Sequence, residues 1–193
     1  MPRTEVFNRD LILSKVRVLF WNKGFNGTSM RDLVETTGLN RSSLYNSFGN
    51  KQTLYDMVLK KYQDDNNLLF KEALIRADNP RQAIRNIFEN ILDNMLQDVD
   101  QKGCFILNCK AELSRSEPSI RTLLEKNEAT ELKLLKNLVE EGQDHEVINT
   151  DRSPEEYAYY LYSAFQGFRM TGILVNDRTK LQNIIDITID KLS

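Results

Sequence analysis

The sequence contains few residues that break helices or cross-link chains. Its 193 residues include four prolines, eight glycines and two cysteines. Cys104 and Cys109 are five positions apart, so on one helix they point about 140° away from each other and cannot form a disulfide. This sparse use of cysteine is typical of the reducing cytoplasm. A chain of this length buries a sufficient core without cross-links.

Sequence features that define several other classes of protein are also missing. No apolar run has membrane-spanning length, and "MPRTEVFNRDLIL" lacks the apolar segment of a signal peptide. There is no glycine-rich phosphate loop and no Gly-x-Ser-x-Gly motif. The single histidine, His145, lies in the acidic stretch "EGQDHEV" and completes no zinc site with the two cysteines. We therefore expect a cytoplasmic protein that is not an enzyme, with no cofactor, metal or membrane partner.

Positive charge is concentrated at one end of the chain. The net charge is −2, which alone argues against a nucleic-acid-binding protein. Residues 1–52, however, carry eight Lys or Arg against four Asp or Glu, a net +4, and residues 53–193 carry 18 against 24, a net −6. This asymmetry indicates that a polyanion contacts the N-terminal segment only.

The apolar pattern of the chain is helical almost throughout. Apolar residues recur every three or four positions, as in "AIRNIFENIL", and no segment alternates like a strand. Pro80, Pro118 and Pro154 each fit the first turn of a helix, and Asn79 and Ser153 fit the caps before two of them. We predict an all-α protein whose nine helices lie near residues 7–23, 30–37, 41–47, 51–77, 80–98, 103–115, 118–141, 154–175 and 178–192.

The first three predicted helices form a small unit with a core of its own. The second and third are joined by "TGLN", in which Gly38 allows a left-handed turn, Leu39 enters the core and Asn40 caps the next helix. This is a helix-turn-helix pattern, and we predict a DNA-binding domain at residues 1–52 and a helical body at residues 53–193. The core of the unit is predicted to contain Leu11, Val18, Leu19, Phe20, Phe25, Leu33, Val34, Leu39, Leu44 and Phe48.

The third predicted helix, "RSSLYNSF", uses only its leucine and phenylalanine for the core. In helix-turn-helix proteins the N-terminal end of this helix enters the major groove. Arginine there suits guanine, asparagine suits adenine, and serine suits either bases or backbone. The residues predicted to point outward are Arg41, Ser42, Ser43 and Asn46.

Helix starts next to this unit offer candidate phosphate contacts. Lys51 follows the cap Asn50 in the first turn of the fourth helix, where a lysine opposes the helix dipole. A phosphate bound at that N-terminus would account for it, and the alternative is an ordinary surface residue. Thr28 or Ser29 caps the second helix and is expected to present its hydroxyl outward.

The stretch "GFNGTSMRDLVETTGLNRSSLYNSFGNKQTLYDMVL" resembles the DNA-binding domain of the TetR family of bacterial repressors, and the likeness runs from about Asp10 to Leu59. The resemblance implies an all-helical homodimer with a ligand pocket in its body, which releases a palindromic operator in double-stranded DNA when ligand binds. It implies base contacts from Arg31, Arg41, Ser42, Ser43 and Asn46. It implies phosphate contacts from Thr28, Tyr45 and Lys51, to which the helix-start argument adds Ser29.

The body resembles the family in architecture. At "DQKGCFILNCKAELS" it resembles a branch whose sixth helix opens with Gly-Cys, followed by apolar residues, an asparagine and a later glutamate. In some members of that branch the cysteine senses electrophiles or oxidants. A thiol at a helix N-terminus near a lysine, here Lys102, ionises readily, which makes Cys104 a candidate sensor. The alternative is that Cys104 packs as a small apolar residue. Cys109 is predicted to lie in the core.

The eighth predicted helix, "PEEYAYYLYSAFQGFRMTG", has an aromatic cluster typical of a core or an interface. The resemblance implies that helices 154–175 and 178–192 form a dimer seam, with close approach at Gly167 and Gly172. That seam is expected to be built from Leu181, Ile184, Ile185, Thr188 and Ile189. The opposite face of the eighth helix is expected to line a ligand pocket or sensor site with Phe88, Met95, Cys104, Phe105, Tyr162 and Gln166.

Three classes of function remain in view. The first is a transcriptional repressor released by a small molecule or a thiol-reactive signal. The second is a DNA-binding dimer without an inducer, whose body docks a protein partner. The third is an enzyme that uses the helical body. A cavity of a few hundred Å³ in the body favours the first class, and a filled core favours the second.

Overall fold

The computed structural model describes residues 7–98, 100 and 102–193, and the first six residues of the N-terminal stretch searched for a signal peptide lie outside it. In the described residues the chain forms nine α-helices and no strand, as predicted. None of these helices combines the length and the apolar composition needed to cross a membrane. The helices are α1 Arg9–Lys23, α2 Met30–Thr37, α3 Arg41–Phe48, α4 Lys51–Ile75, α5 Pro80–Gln97, α6 Phe105–Leu113, α7 Pro118–Asp144, α8 Pro154–Thr171 and α9 Arg178–Asp190.

Most helix starts are defined by a short polar side chain that accepts a hydrogen bond from a backbone N–H of the first turn. This arrangement satisfies one of the amides that a helix start leaves without a partner. It confirms the predicted caps, and it shows that α2 is capped by Ser29 and not by Thr28. Helices α6 and α7 have no such bond. The capping residues are Asn8, Ser29, Asn40, Asn50, Asn79, Ser153 and Asp177.

The largest errors in helix length fall in the body. Gly103 has φ +71°, which a right-handed helix excludes, so α6 begins at residue 105 and not at 103. Helix α8 ends at Thr171, four residues early, in a turn where the Gly172 amide donates to Phe168 O. Helix α7 instead runs three residues beyond its predicted end and takes in part of the acidic stretch that was expected to be a loop.

The N-terminal helices α1 to α3 pack around Val16, Phe20 and Leu33, which are almost completely buried. Two residues predicted for this core, Leu11 and Val18, are instead about half exposed. They are seven positions apart, so they share one side of α1, and that side faces away from α2 and α4. Ile12 and Leu13 take their place in the core.

The buried apolar residues form two clusters, which do not divide the chain at residue 52. One cluster contains the core of α1 to α3 and continues through the first part of α4 into α6 and the start of α7. The other contains the second half of α4 with α5, α7, α8 and α9. The boundary between residues 52 and 53 stays a prediction, since α4 crosses it without a break and α6 packs against the N-terminal helices.

Candidate nucleic-acid interface

The turn between α2 and α3 has the conformation that its sequence predicts. Gly38 has φ +73° and ψ 2°, and its amide donates to Val34 O at 2.9 Å, which closes α2. The Asn40 side chain accepts from the Ser43 amide at 2.8 Å and starts α3. Leu44 and Phe48 are buried in the apolar cluster that also contains residues of α1, α2 and α4, so only one side of α3 is packed. The other side of α3 is free for a partner.

The outward side of α3 carries polar side chains that form no hydrogen bond or ion pair with any described residue. Arg41, Ser42, Tyr45 and Asn46 are exposed, and Ser43 is half-buried. The Arg41 guanidinium lies 5.7 Å from the centre of the Tyr45 ring. Four of the five predicted base contacts therefore lie on one surface, with Tyr45 beside them. The fifth, Arg31 on α2, is exposed but paired, because its Nε donates to Glu35 Oε1 at 2.7 Å.

The structure corrects the phosphate contact expected of Thr28. Its side chain is 1% exposed, and its hydroxyl donates to Gly24 O at 2.7 Å. The buried hydroxyl closes the turn after α1 and is not available to DNA. Ser29 is exposed, and it forms a capping box with Asp32, whose carboxylate accepts from both the amide and the hydroxyl of Ser29.

Lys51 has two carbonyl partners that its position at the start of α4 did not predict. Its Nζ donates to Phe25 O and to Thr28 O, both at 2.8 Å, and lies 4.2 Å from the centre of the Phe25 ring. These contacts explain a lysine at a helix start without a phosphate, because the ammonium group satisfies two carbonyls of the α1–α2 turn. In this structure Lys51 fixes that turn to α4.

Glu112 on α6 holds the same turn from the body, and the sequence analysis missed it. Its carboxylate accepts from the Phe25 amide at 3.1 Å and from the Asn26 amide at 2.9 Å. Gly24 makes room for it, since a Cβ there would lie 2.8 Å from Glu112 Oε2. The resemblance of "DQKGCFILNCKAELS" includes this glutamate, but nothing local in the sequence indicates its partner 87 positions away.

An aromatic cluster joins α1, α4 and α6. The Trp21 ring centre lies 5.2 Å from that of Tyr62 and 5.5 Å from that of Phe105, and Phe105 also contacts Tyr55 at 5.6 Å. Trp21 Nε1 donates to Lys102 O at 3.0 Å. The DNA-binding unit and the body therefore share a packed boundary at α6.

A cavity of about 420 Å³ lies next to this boundary, between α1, α4, α5, the segment before α6, and α8. Of the residues predicted for a pocket, Met95 and Cys104 line it. Phe105 belongs to the aromatic cluster, and Phe88 is buried against Phe165 with ring centres 3.9 Å apart. Both rings pack against other aromatic side chains, and neither lines this cavity.

Two more predicted pocket residues lie away from the cavity. The Tyr162 hydroxyl donates to Glu128 Oε2 at 3.1 Å and accepts from Lys110 Nζ at 3.3 Å, so it closes a polar network between α6, α7 and α8. Gln166 is half-buried on α8, but it does not line the cavity wall. The helical phase of α8 turns Arg169 and Gly172 toward the cavity instead.

The two cysteines differ in their surroundings. Cys104 is at the cap position of α6 on the cavity wall, and the Tyr62 hydroxyl lies 3.7 Å from its Sγ. Lys102, expected to act on this thiol, pairs its Nζ with Asp100 Oδ2 at 2.6 Å. Cys109 is buried in the core as predicted, and burial raises the pKa of its thiol to about 11.

Most of the residues predicted for the dimer seam face the protomer's own core. Leu181, Ile185, Thr188 and Ile189 are buried, because α9 packs this side against α5. Ile184 is only partly buried. Gly172 also faces inward, where a Cβ would lie 2.5 Å from Met95 Sδ, whereas Gly167 borders open space as a close approach requires. The apolar residues that α8, α9 and the turn between them leave exposed are Tyr159, Tyr160, Met170, Leu174 and Ile187, here called the α8/α9 face.

Comparisons with known proteins cover nearly the whole chain. The family described as "Bacterial regulatory proteins, tetR family" matches residues 12–58, and the family described as "Tetracyclin repressor-like, C-terminal domain" matches residues 80–188. The chain is 27% identical to the uncharacterized HTH-type transcriptional regulator YezE of Bacillus subtilis (strain 168), over 100% of both chains. It is 28% identical to the HTH-type transcriptional repressor ComR of Escherichia coli (strain K12), over 97% of this chain and 90% of ComR.

Solved structures share the same fold. A cysteine mutant of the TetR family transcriptional regulator CifR, complexed with 26-base-pair operator DNA, superposes with a TM-score of 0.87 at 20% identity and covers 99% of this chain and 100% of that one. The reduced form of E. coli NemR superposes with a TM-score of 0.77 at 20% identity and covers 96% of each chain.

Proposed function

The chain belongs to the TetR family of bacterial regulatory proteins, and we propose that it is a transcriptional repressor controlled through its cavity. In this proposal a homodimer binds a palindromic operator and releases it when a small molecule enters the cavity or when Cys104 is modified. One observation carries the proposal. A ligand-sized cavity shares its walls with α1 and with the segment that leads into α6, and α6 holds the α1–α2 turn through Glu112.

The DNA-binding surface in this proposal is the outward side of α3. Arg41 and Asn46 contact base edges, Ser42 and Ser43 contact bases or backbone, and Tyr45 contacts a phosphate. These side chains are supported by their exposure and by the absence of partners among the described residues. Arg31 also contacts a base edge once its salt bridge with Glu35 is broken. Ser29 and Lys51 are proposed for phosphates with their present hydrogen bonds retained, since Lys51 keeps a third N–H free.

The control of DNA binding follows from which helices contact both sites. Helices α1 and α4 each contribute to the core of the DNA-binding unit and to the cavity wall, and α6 connects Cys104 at the wall to Glu112 at the α1–α2 turn. A ligand that repositions any of these helices changes the angle at which α3 is presented. Release requires only that the occupied state disfavour the operator geometry by a few kcal/mol.

The homodimer is proposed to form through the α8/α9 face. Leu174 is 88% exposed and Tyr159, Met170 and Ile187 are more than half exposed, an apolar surface that a monomer seldom leaves uncovered. A two-fold interface places the two α3 helices about one turn of B-DNA apart, at about 34–36 Å, and pairs them with the halves of a palindrome. In this interface the exposed residues replace the buried set that the sequence predicted.

The cavity distinguishes this function from its main alternative. A DNA-binding dimer without an inducer needs only a filled body that docks a protein partner. A volume of about 420 Å³ lies instead within the usual size range of small-molecule sites. ComR and CifR, of which this chain covers 90% and 100%, are named as a repressor and as a regulator bound to operator DNA.

The test is to sequence the DNA that the purified protein retains from a random or genomic pool. We expect an enriched palindrome, and release of that DNA by at least one member of a panel of small molecules and mild electrophiles. Retention of a palindrome that no small molecule or electrophile releases, together with release by a purified protein partner, would support the alternative. Retention of no preferred sequence would contradict both.

A further inference from the structure

Arg169 on α8 is a buried charge without a partner. Its side chain is 7% exposed and lies on the cavity wall, yet it forms no hydrogen bond or ion pair with any residue that the structure describes. Removal of a guanidinium group from water is costly unless an anion or several acceptors replace the lost hydration. No described residue therefore accepts a hydrogen bond from the five N–H donors of Arg169.

The other charges around the cavity are already paired. Arg17 Nη1 donates to Asp65 Oδ2 at 2.7 Å, and Lys102 pairs with Asp100. Asp98 accepts from the Gly103 amide at 3.1 Å. These contacts leave Arg169 as the charge in the wall for which the described residues supply no partner.

The nearest buried carboxylate acts on Arg169 without contacting it. Burial lowers the pKa of Arg169, but nearby ionisable groups, first Cys104 and then Glu131, leave that pKa above its ordinary value. Glu131 on α7 shares a much smaller void with Arg169, but the two side chains form no ion pair. Glu131 Oε1 instead accepts from Asn127 Nδ2 at 3.0 Å. Glu131 therefore leaves the N–H donors of Arg169 without an acceptor, and Arg169 also lines the larger cavity.

Part of the rest of the wall suits the apolar body of a small molecule. Leu69 and Phe70 from α4, Ile91 and Met95 from α5, and the Trp21 ring from α1 surround the space. Gly172, one turn beyond Arg169, leaves room for Met95, since a Cβ would lie 2.5 Å from its sulfur atom. The cavity thus offers a planar cation beside aliphatic and aromatic surface, and amide side chains such as Asn66 and Asn94 complete its wall.

We propose that the cavity binds a small organic carboxylate, anchored by the Arg169 guanidinium group, with its apolar body against α4 and α5. The planar fork of arginine matches the two oxygens of a carboxylate. Such a ligand would bridge α8, which carries the dimer face, and α1, which carries Trp21. Its part in DNA release rests on the proposed function, whereas its binding does not.

The single tryptophan of the chain makes the test direct, because Trp21 lines the cavity and its fluorescence reports occupancy. The probes are benzoate, 4-phenylbutyrate and octanoate, each compared with its neutral primary amide. We expect saturable fluorescence changes with at least one carboxylate, and binding at least about tenfold tighter than that of the matching amide. If no acid binds in preference to its amide, the proposal is overturned.

Variants separate an anchor from a structural arginine. Arg169→Gln should remove the preference for acid over amide, and Arg169→Lys should retain part of it because the charge remains and the fork is lost. Arg121→Gln is the matched control, since this arginine is exposed on α7 and pairs only with Glu125. Without ligand, Arg169→Gln should leave Tm unchanged or raise it. A fall in Tm with the acid preference intact would show that Arg169 is structural and would overturn the proposal.

DNA binding by the same samples separates this inference from the proposed function. Saturable, Arg169-dependent carboxylate binding establishes the anion site whether or not the operator is released. If the carboxylate binds and the operator stays bound, the site stands and its regulatory role fails. If the operator is released by neutral molecules alone and no carboxylate binds, the proposed function stands and the anion site is overturned.

Discussion

The outward side of α3 and the α8/α9 face are both exposed, but they expose opposite chemistry. Helix α3 presents Arg41, Ser42 and Asn46, polar side chains without partners among the described residues. The α8/α9 face presents Leu174 and Ile187, large apolar side chains that water solvates poorly. The groups that an exposed surface leaves without a partner therefore indicate the chemistry of the molecule that it binds. Free donors indicate a hydrated polyanion, and apolar area indicates a second protein surface.

The largest effect should come from charges placed on the apolar surface. Leu174→Glu combined with Ile187→Glu should convert the dimer to a monomer, because two buried like charges per protomer oppose association. The monomer should bind the palindrome about 10²–10⁴-fold more weakly, since the second DNA contact is then no longer intramolecular. Sedimentation velocity and DNA titration measure the two effects.

Ile75→Glu is the matched control for that experiment. Ile75 is 83% exposed at the end of α4 and does not belong to the α8/α9 face. This variant should stay dimeric and keep its affinity for DNA. A double variant on the α8/α9 face that also remains dimeric would show that the protomers associate through another surface.

A smaller effect is expected from the polar surface. Arg41→Ala should weaken the binding free energy on the selected palindrome by about 1–3 kcal/mol per protomer. It should also relax base preference at one position of each half-site. Binding to non-specific DNA should change much less. Equilibrium titrations on both DNAs, with Arg121→Ala as the control, measure the difference. An equal loss on both DNAs would mean that Arg41 contacts phosphates.

A still smaller effect is expected at the contact between α6 and the α1–α2 turn. Glu112→Gln keeps the size of the side chain but leaves it one acceptor oxygen for the amides of Phe25 and Asn26. We expect a loss of about 1 kcal/mol in the free energy of unfolding and faster hydrogen exchange at those two amides. Glu117→Gln, at the start of α7, is the control because its side chain makes no cap. Unchanged hydrogen exchange at these two amides would mean that another contact holds α6 to the α1–α2 turn.

The smallest effect is expected from chemical modification of a cysteine. A small electrophile should label Cys104 before Cys109, because Cys104 lines the cavity and burial raises the pKa of Cys109 to about 11. At neutral pH a thiol with that pKa is almost fully protonated and therefore unreactive. Mass spectrometry of partially labelled protein gives the order, and Cys104→Ser should abolish the first adduct. Labelling of Cys109 first would exclude a sensor at the cavity.

The DNA-binding unit could be predicted from its sequence because its determinants are local. A glycine followed by a leucine and a cap in "TGLN" specifies the turn, and the apolar spacing of "RSSLYNSF" specifies which side of α3 is buried. Both predictions hold in the structure. The errors at Leu11 and Val18 were errors of helical phase, since α1 is apolar on more than one side.

The body was harder to predict because its structure depends on contacts between residues far apart in the sequence. The apolar pattern of α9 shows that one side is buried, but not whether α5 or a second protomer covers it. The aromatic residues of α8 likewise do not reveal that Phe165 packs on Phe88 while Arg169 faces a cavity. The contact between Glu112 and the α1–α2 turn, and the carbonyl partners of Lys51, depend on segments far apart in the chain.

The most direct test of the account is a titration of two DNAs that differ in one half-site. One carries the selected palindrome, and the other carries the same sequence with one half scrambled. We predict that two protomers bind the palindrome, as measured by sedimentation of the complex, and that scrambling lowers affinity by at least about 100-fold. Equal affinity for the two DNAs, or one protomer on the palindrome, would contradict a repressor that reads DNA through two paired α3 helices.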